Sequence, residues 1–481
     1  MAAPKIAIIG GGIAGSSAAL HLSQLGLEVD LFECEASLLN GPPFCHLHAG
    51  GNLYPDISDQ QCEILLEESI ALVRSYPFAI DYRPTVIALP LTCRRDPQTL
   101  VQRLEGLQRR YAELIDQNSA NAVLGRPENY FRLYERADLE HLKTLKYPEK
   151  MRCNDDWMIP VAKTVRLDQL KYPLILVQEY GLNLFSMSAG LRQALEKEDS
   201  AKVHLKSRVE SISAQGERWR VRYVKEGLRF EGVYDYLINA AGFRTGEIDD
   251  MLGLKRERLV EFKAAYVTHW QERREPGATP LWPEVVFYGA RGTPQGMAQF
   301  TPYNGHYFQL HGMTEHITLF EGGLARSSAL SAQPKLQEQL LRKIEKQWEF
   351  AEVEDRTRAA VAHLSRLMPP FKTATVASKP LFGAQQIPGD DPSLRAANLS
   401  FGLPRYVRCE IVKVSSVLSQ NRAITEDLMD LGYLDAQHSE KDTRAFLKDV
   451  DFSKLENEAK KICRDRAYPE AMAQRLLSAP L

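Results

Sequence analysis

The spacing of apolar and polar positions changes character twice between Lys5 and Glu33. Lys5–Ile9 is a nearly unbroken apolar run, as a strand buried on both faces of a parallel sheet requires. Ile13 to Leu25 is small and Ala-rich, suited to a helix lying against a sheet, and Gly26 is its stop signal. Leu27–Phe32 reads as a second strand. The pattern predicts strand, helix, strand.

Further along, Ser58 is an expected N-cap for a helix from Asp59 to Arg74, and Thr85–Leu91 reads as a strand. Asp96-Pro97 opens a helix reaching about Gln117, and the mixed signals from Asn118 to Asp156 predict a helical insertion. After Ile175–Ser188, a helix is expected over Ala189–Lys197. Val203–Leu205, Val209–Ile212, Trp219–Tyr223 and Gly232–Tyr234 form a small meander. It leads to a buried strand, Tyr236–Asn239, that runs into the small residues Ala240-Ala241-Gly242.

From about 255 to 372 the segments alternate, as in Ala264–Trp270, Val285–Tyr288 and His306–His311, with turns at Asn304-Gly305 and Gly322-Gly323. A mostly antiparallel sheet is expected. Alternation places His306 and Phe308 on one face and Tyr307, Gln309 and His311 on the other, where they read as structural polar residues. Lys335–Met368 is helical, closed by Pro369-Pro370. Leu399–Leu403 reads as a strand, Arg405, Tyr406 and Arg408 as a loop, and Ile411–Leu418 as the start of a long helix.

The fold class is therefore mixed α/β, α+β overall. A Rossmann-like α/β domain takes residues 1–84, 160–254 and 375–435. A β-sheet substrate domain takes 85–159 and 255–374, and a charged helical tail takes 436–481.

Composition narrows the picture by exclusion. The 481 residues are 44% hydrophobic and 25% charged, ordinary for a globular chain. A net charge of −2 and the lack of a basic run give no reason to expect nucleic acid. No apolar stretch is long enough to predict a transmembrane segment. A strand starting at residue 5 leaves no room for a signal peptide, and seven cysteines without C-x-x-C pairs predict neither disulfides nor a metal site. The expected location is cytoplasmic.

The chemistry starts at Gly10, Gly12 and Gly15, which fall at G-x-G-x-x-G spacing. The three glycines serve in turn a tight turn, close backbone approach to a pyrophosphate, and close packing of helix on strand. Glu33 ends the second strand eighteen residues after Gly15, where a carboxylate accepts a hydrogen bond from a ribose hydroxyl. With strand, helix, strand and acid all in place, the chain is expected to bind a dinucleotide. No second such motif occurs, so a separate nicotinamide domain is not expected. Cys45, His46 and His48 stand beside Gly50-Gly51; the histidines either satisfy backbone groups in a tight turn or stand beside a reacting ring. Arg405 or Arg408 either holds a substrate carboxylate or pairs with surface acids.

Several of these stretches together resemble the D-amino-acid oxidase superfamily of FAD enzymes. They are GGGIAG (Gly10–Gly15) with Glu33, V-x-x-I at Val209–Ile212, NAAG at Asn239–Gly242 and the terminal strand–loop–helix. HAGGNLYP, His48–Pro55, is similar to the loop of L-2-hydroxyglutarate and glycerol-3-phosphate dehydrogenases that passes the flavin.

The resemblance implies FAD, held noncovalently in preference to a link through Cys45, His46 or His48. Gly10, Gly11, Gly12, Ile13, Ala14 and Gly15 would hold its pyrophosphate, Glu33 its ribose, and the Val209 backbone its adenine. Ala241 and Gly242 would form a second wall. His48, Ala49, Gly50 and Gly51, together with Leu403–Cys409 and so Arg408, would lie about the isoalloxazine. The implied reaction removes a hydride from a CH–OH or CH–NH carbon of a small carboxylate-bearing substrate and passes electrons to oxygen, a quinone or a carrier protein. His48 is the candidate base, and Arg405 or Arg408 the carboxylate anchor. One departure is PRYVRCE, Pro404–Glu410, which replaces a glycine-rich approach to the last helix and would line the flavin edge with side chains.

Two other functions fit the same nucleotide fold. One is a flavin monooxygenase using NAD(P)H and oxygen, although Gly389-Asp390-Asp391-Pro392 is only a partial match to the expected motif. The other is a non-enzymatic FAD-binding partner protein.

Overall fold

A computed structural model of the chain describes residues 4–41, 47–52, 57–435 and 450–479. The apolar run at the start becomes β1 (Lys5–Ile9), an inner strand with parallel neighbours on both sides. β2 (Glu28–Phe32) lies on one side, with Ile8 opposite Leu31. Strand Tyr236–Asn239 lies on the other, with Ile8 opposite Ile238. The sheet continues through Tyr406–Cys409 to Leu399–Leu403 at one edge and ends at Ala201–His204 at the other. Helix α1 (Ile13–Gln24) packs closely on this sheet. A Cβ on Gly15 would lie 1.9 Å from the Gly10 carbonyl oxygen, so only glycine permits that crossing.

Ser207–Gln215, Arg218–Lys225 and Leu228–Tyr234 form an antiparallel meander, whereas its expected first segment, Val203–Leu205, overlaps Ala201–His204, which pairs parallel with β2 instead. It buries Val209, Val221 and Tyr234 with Ile9 and Phe32 of the nucleotide sheet.

The second large sheet is built around strand Arg258–His269, which pairs antiparallel with Tyr307–Gly312, Leu324–Arg326 and Leu381–Pro388. It extends through Ala298–Pro302, Glu284–Phe287, Thr85–Pro90 and Leu170–Val177 to Phe131–Tyr134. Strand pairing moves two expected boundaries. Leu170–Val177 and Leu381–Pro388, both expected in the nucleotide domain, join the substrate sheet. Their apolar content suits either sheet, and only their partners decide between them.

Local signals placed several helices well. Ser58 caps Asp59–Ser75, its hydroxyl accepting from the Gln61 N–H, and Asp96 caps Pro97–Gln117 by accepting from Gln98. The insertion after residue 118 is only partly helical: strand Phe131–Tyr134 precedes helices Arg136–Thr144 and Asn154–Thr164. The single helix expected over 335–368 is two, Glu338–Ile344 and Phe350–Ser365. Within the tail, helix Phe452–Asp465 buries Leu455, Ala459, Ile462 and Cys463 against helix Leu184–Leu195. Arg466 then donates to the carbonyls of Leu38 and Leu39 at 2.6 and 3.1 Å, tying the tail to the loop after β2. Among the described residues no helix is long and apolar enough to cross a membrane.

Candidate functional site

A cavity of about 1220 Å³ opens where β1, Tyr236–Asn239 and Tyr406–Cys409 end, and Gly12, Ile13, Ala14, Ala240, Gly242 and Cys409 line this side of it. Pockets for single small molecules run to roughly 1,000 Å³, so this space suits a cofactor together with a substrate. It lies off the carboxyl ends of parallel strands, where open α/β sheets bind ligands.

The cofactor end follows from backbone geometry. Gly10 has φ +104°, and a Cβ there would lie 2.3 Å from the Ala240 carbonyl oxygen. Gly12 is the N-cap of α1 with no side-chain cap, and no atom lies within 4 Å of where its Cβ would stand. The first-turn N–H groups of α1 are thus presented to open space, with the positive end of the helix dipole behind them. Glu33 is buried at the tip of β2, where it accepts from the N–H of Gly11 at 2.7 Å and of Glu35 at 2.8 Å. Burial pushes its carboxyl pKa up, and the two N–H groups work against that shift. The Ser207 N–H donates to the Glu33 carbonyl, which starts the strand of Val209 beside the same acid. A row of presented N–H groups with a carboxylate at the next strand tip fits the pyrophosphate and ribose of FAD. Ala241 is held by its N–H to the Asn239 side chain at 3.3 Å, and Gly242, at φ +61°, faces the cavity.

The loop of His48 is fixed from several sides. Leu47 donates to the Tyr180 carbonyl, Tyr130 to the Ala49 carbonyl at 2.6 Å, and Tyr288 to the Asn52 carbonyl. Asn52 donates to the buried Glu179 from both its N–H and its side chain. Gly50 is pressed against Leu107 and Tyr130, and Gly51 against Ile57 and Leu65, both glycines at positive φ. This anchoring divides the expected segment. His48 lines the cavity, with Nε2 3.4 Å from Lys413 Nζ, whereas Ala49, Gly50 and Gly51 support it from behind. Cys45, His46 and the Leu53–Pro55 part of the motif lie outside the described residues.

The two arginines expected at the flavin are elsewhere. Arg408 is inside strand Tyr406–Cys409 rather than on a loop, buried against Asp249. Arg405, at φ +59°, occupies the turn entering that strand, and its guanidinium meets Glu217 and Tyr433. Because this strand runs parallel to β1, only its far end reaches the ligand edge. Of Leu403–Cys409, Cys409 alone lines the cavity, followed by Ile411–Val414 just ahead of helix Val417–Asp430.

The cavity's charges come from residues not singled out in the sequence. Arg94 and Arg95 follow strand Thr85–Pro90, Arg291 follows Glu284–Phe287, Lys263 is within Arg258–His269, and Arg395 and Lys413 flank the last strands. Among the described residues no aspartate or glutamate lines the cavity. Burial, and then the charge of Arg395, push the Lys263 ammonium down to about 7. The Glu261 carboxylate, 2.6 Å away, opposes that shift. The available signal was Glu261 and Lys263 two apart in the otherwise apolar run LVEFKAAYV: a charged pair on one face of a central strand. His311 also differs from its structural reading, since it lines the cavity beside Gln299, its cross-strand partner. Gln309 is structural, accepting from Tyr303 at 2.9 Å.

Comparison with known proteins agrees with this geometry. The family model for FAD-dependent oxidoreductases matches residues 5–389. Among solved structures, glycine oxidase from Geobacillus kaustophilus is similar at 11% identity and TM-score 0.55, covering 89% of this chain and 95% of its own. L-proline dehydrogenase from P. horikoshii is similar at 13% and 0.54, covering 93% and 98%. Glycerol-3-phosphate dehydrogenase from Bacillus halodurans, solved with FAD, is similar at 13% and 0.52, covering 90% and 65%. These likenesses concern the fold. Curated protein sequences give no match.

Proposed function

The chain belongs to the FAD-dependent oxidoreductases of the D-amino-acid oxidase superfamily, and from that premise we propose that it oxidises a small anionic substrate at a carbon bearing a hydroxyl or an amine, next to a carboxylate. The observation that carries this reading is the charge of the cavity. Arg94, Arg95, Lys263, Arg291, Arg395 and Lys413 line it in a chain whose net charge is −2. A cleft of one sign within low-dielectric walls concentrates ligands of the opposite sign.

FAD, when bound, supplies the redox chemistry by accepting the hydride. The protein's own work is to bind, orient and deprotonate. A lysine ammonium has only donors, so the 3.4 Å approach of Lys413 Nζ favours an unprotonated His48 Nε2. That is the state a general base needs. Lys413 beside it suits the substrate carboxylate, because that separation matches a carboxylate and a hydroxyl or amine on adjoining carbons.

The test is anaerobic bleaching of the visible flavin band by a panel of hydroxy acids, amino acids and N-methyl amines. Bleaching by an anionic member is expected. Bleaching by NADPH alone would replace this reading with the monooxygenase, and a flavin that nothing reduces would replace it with a binding protein.

A further inference from the structure

We propose that Arg466 is a positioning residue of the cofactor site, and that docking of the C-terminal segment is thermodynamically coupled to FAD binding through the loop of residues 37–39. The inference needs the cofactor but not the substrate, so it stands apart from the reading above.

The loop is part of the cofactor end. Leu39 lines the cavity with Gly12 and Ile13, and its N–H donates to the Gly11 carbonyl at 2.9 Å. The same carbonyl accepts from the Ser16 hydroxyl at 2.9 Å, and the Gly11 N–H donates to Glu33 at 2.7 Å. Both backbone groups of Gly11 are thus fixed, one by the acid expected at the ribose and one by this loop. Their setting directs the next N–H groups, those at the start of α1, toward the ligand.

The loop does not hold this shape unaided. Leu39 has φ +59°, a left-handed backbone that a leucine keeps only where its surroundings enforce it. Arg466 supplies that enforcement. Its Nη2 donates to the Ser37 hydroxyl at 2.8 Å and the Leu38 carbonyl at 2.6 Å, and its Nη1 to the Leu39 carbonyl at 3.1 Å. The rigid fork of a guanidinium spans such a row of acceptors, as the point charge of an ammonium does not.

The C-terminal segment carries Arg466 to this place. Helix Phe452–Asp465 ends immediately before it and is seated on helix Leu184–Leu195. Beyond it, the carbonyls of Met472 and Ala473 accept from Asn183 and Ser186, and the Leu476 N–H donates to the buried Asp81 at 2.6 Å. The match to the family model ends at residue 389, well short of these contacts. Undocking the segment releases the loop, and a loop held in place by the cofactor favours docking in return.

The experiment uses the full chain as apoprotein, titrated with FAD while quenching of flavin fluorescence is followed. Arg466→Met is expected to raise the FAD dissociation constant about 5- to 150-fold, the usual range for coupled sites. Val361→Ala, in helix Phe350–Ser365 of the substrate domain, lowers stability without touching the loop and is expected to bind FAD as the wild type does. Coupling is reciprocal. Hydrogen exchange at the Leu476 amide is therefore expected to slow when FAD is added to the wild type, and to slow more than at Leu364 in the substrate domain. In Arg466→Met that extra slowing is expected to vanish. Wild-type FAD affinity in Arg466→Met overturns the proposal, as does an equal loss in Val361→Ala. Exchange at Leu476 that slows no more than at Leu364 overturns it too, and this measurement needs no variant to fold.

Discussion

Arg408 donates from Nε to Asp249 Oδ1 at 2.5 Å, with the two side chains 4% and 0% exposed. The same carboxylate accepts from Tyr406 at 2.7 Å and from Arg258 at 2.6 Å. Arg258 begins the central strand of the substrate sheet, whereas Arg408 and Tyr406 belong to the nucleotide sheet. One buried carboxylate therefore joins the two sheets. Glu410 extends the junction by pairing with Arg256 and Arg258.

Asp249→Ala leaves two buried guanidinium groups without their shared partner. Removing one member of a buried ion pair costs about 3–5 kcal/mol, and urea unfolding of the variant is expected to show a loss of that size. Arg408→Met is expected to lower stability as well while leaving the substrate KM within about threefold, less than the 1.4 kcal/mol that corresponds to a tenfold change. A hundredfold rise in KM at unchanged stability would put Arg408 back in the substrate site.

The glycines of the first turn separate folding from cofactor binding. At Gly15 a Cβ would meet the Gly10 carbonyl at 1.9 Å, so Gly15→Ala is expected to push α1 off the sheet and lose both stability and flavin. At Gly12 a Cβ would meet nothing. Gly12→Ala is expected to cost the apoprotein no more than about 1 kcal/mol, the scale of an N-cap change. It still fills the space a pyrophosphate needs. The ratio of flavin to protein absorbance, set beside thermal unfolding of the apoprotein, distinguishes the two; a Gly12→Ala protein with full flavin would contradict this assignment.

His48→Ala is expected to slow reduction of the flavin by an alcohol substrate by about 10²–10⁴-fold, the usual share of a general base, with flavin content unchanged. Stopped-flow reduction measures the step directly. Reduction at the wild-type rate would show that His48 does not act as the base.

Acid should weaken the packing between α1 and helix Val417–Asp430. His21 Nε2 lies 2.8 Å from the Thr425 hydroxyl, and burial pushes the imidazole down to about 4 from its ordinary 6.5. Between those values the unfolded chain binds a proton that the folded chain refuses. Stability is therefore full above about pH 6.5 and falls as pH drops toward 4, by up to about 3 kcal/mol. Urea unfolding midpoints across that range are expected to fall less steeply in His21→Leu than in the wild type. Parallel slopes would mean that His21 is not the group responsible.

Where a function depends on neighbours in sequence, the sequence by itself determined it. Strand, glycine turn, helix, strand and Glu33 are all set within thirty residues, because the turn needs glycine, the helix needs small residues and the ribose needs an acid at one fixed spacing. The Ser58 and Asp96 caps were legible for the same reason, each bonding two or three residues away. Tertiary structure decided the rest. Tyr406 and Arg408 look like loop residues because they are polar, yet they lie in an inner strand, since Asp249, 157 and 159 positions away, satisfies both. Lys263 and Arg291 are far apart in sequence and come together only when two segments meet at Glu261. A buried charge is tolerated only with a partner, and that partner is chosen by the fold rather than by its neighbours along the chain.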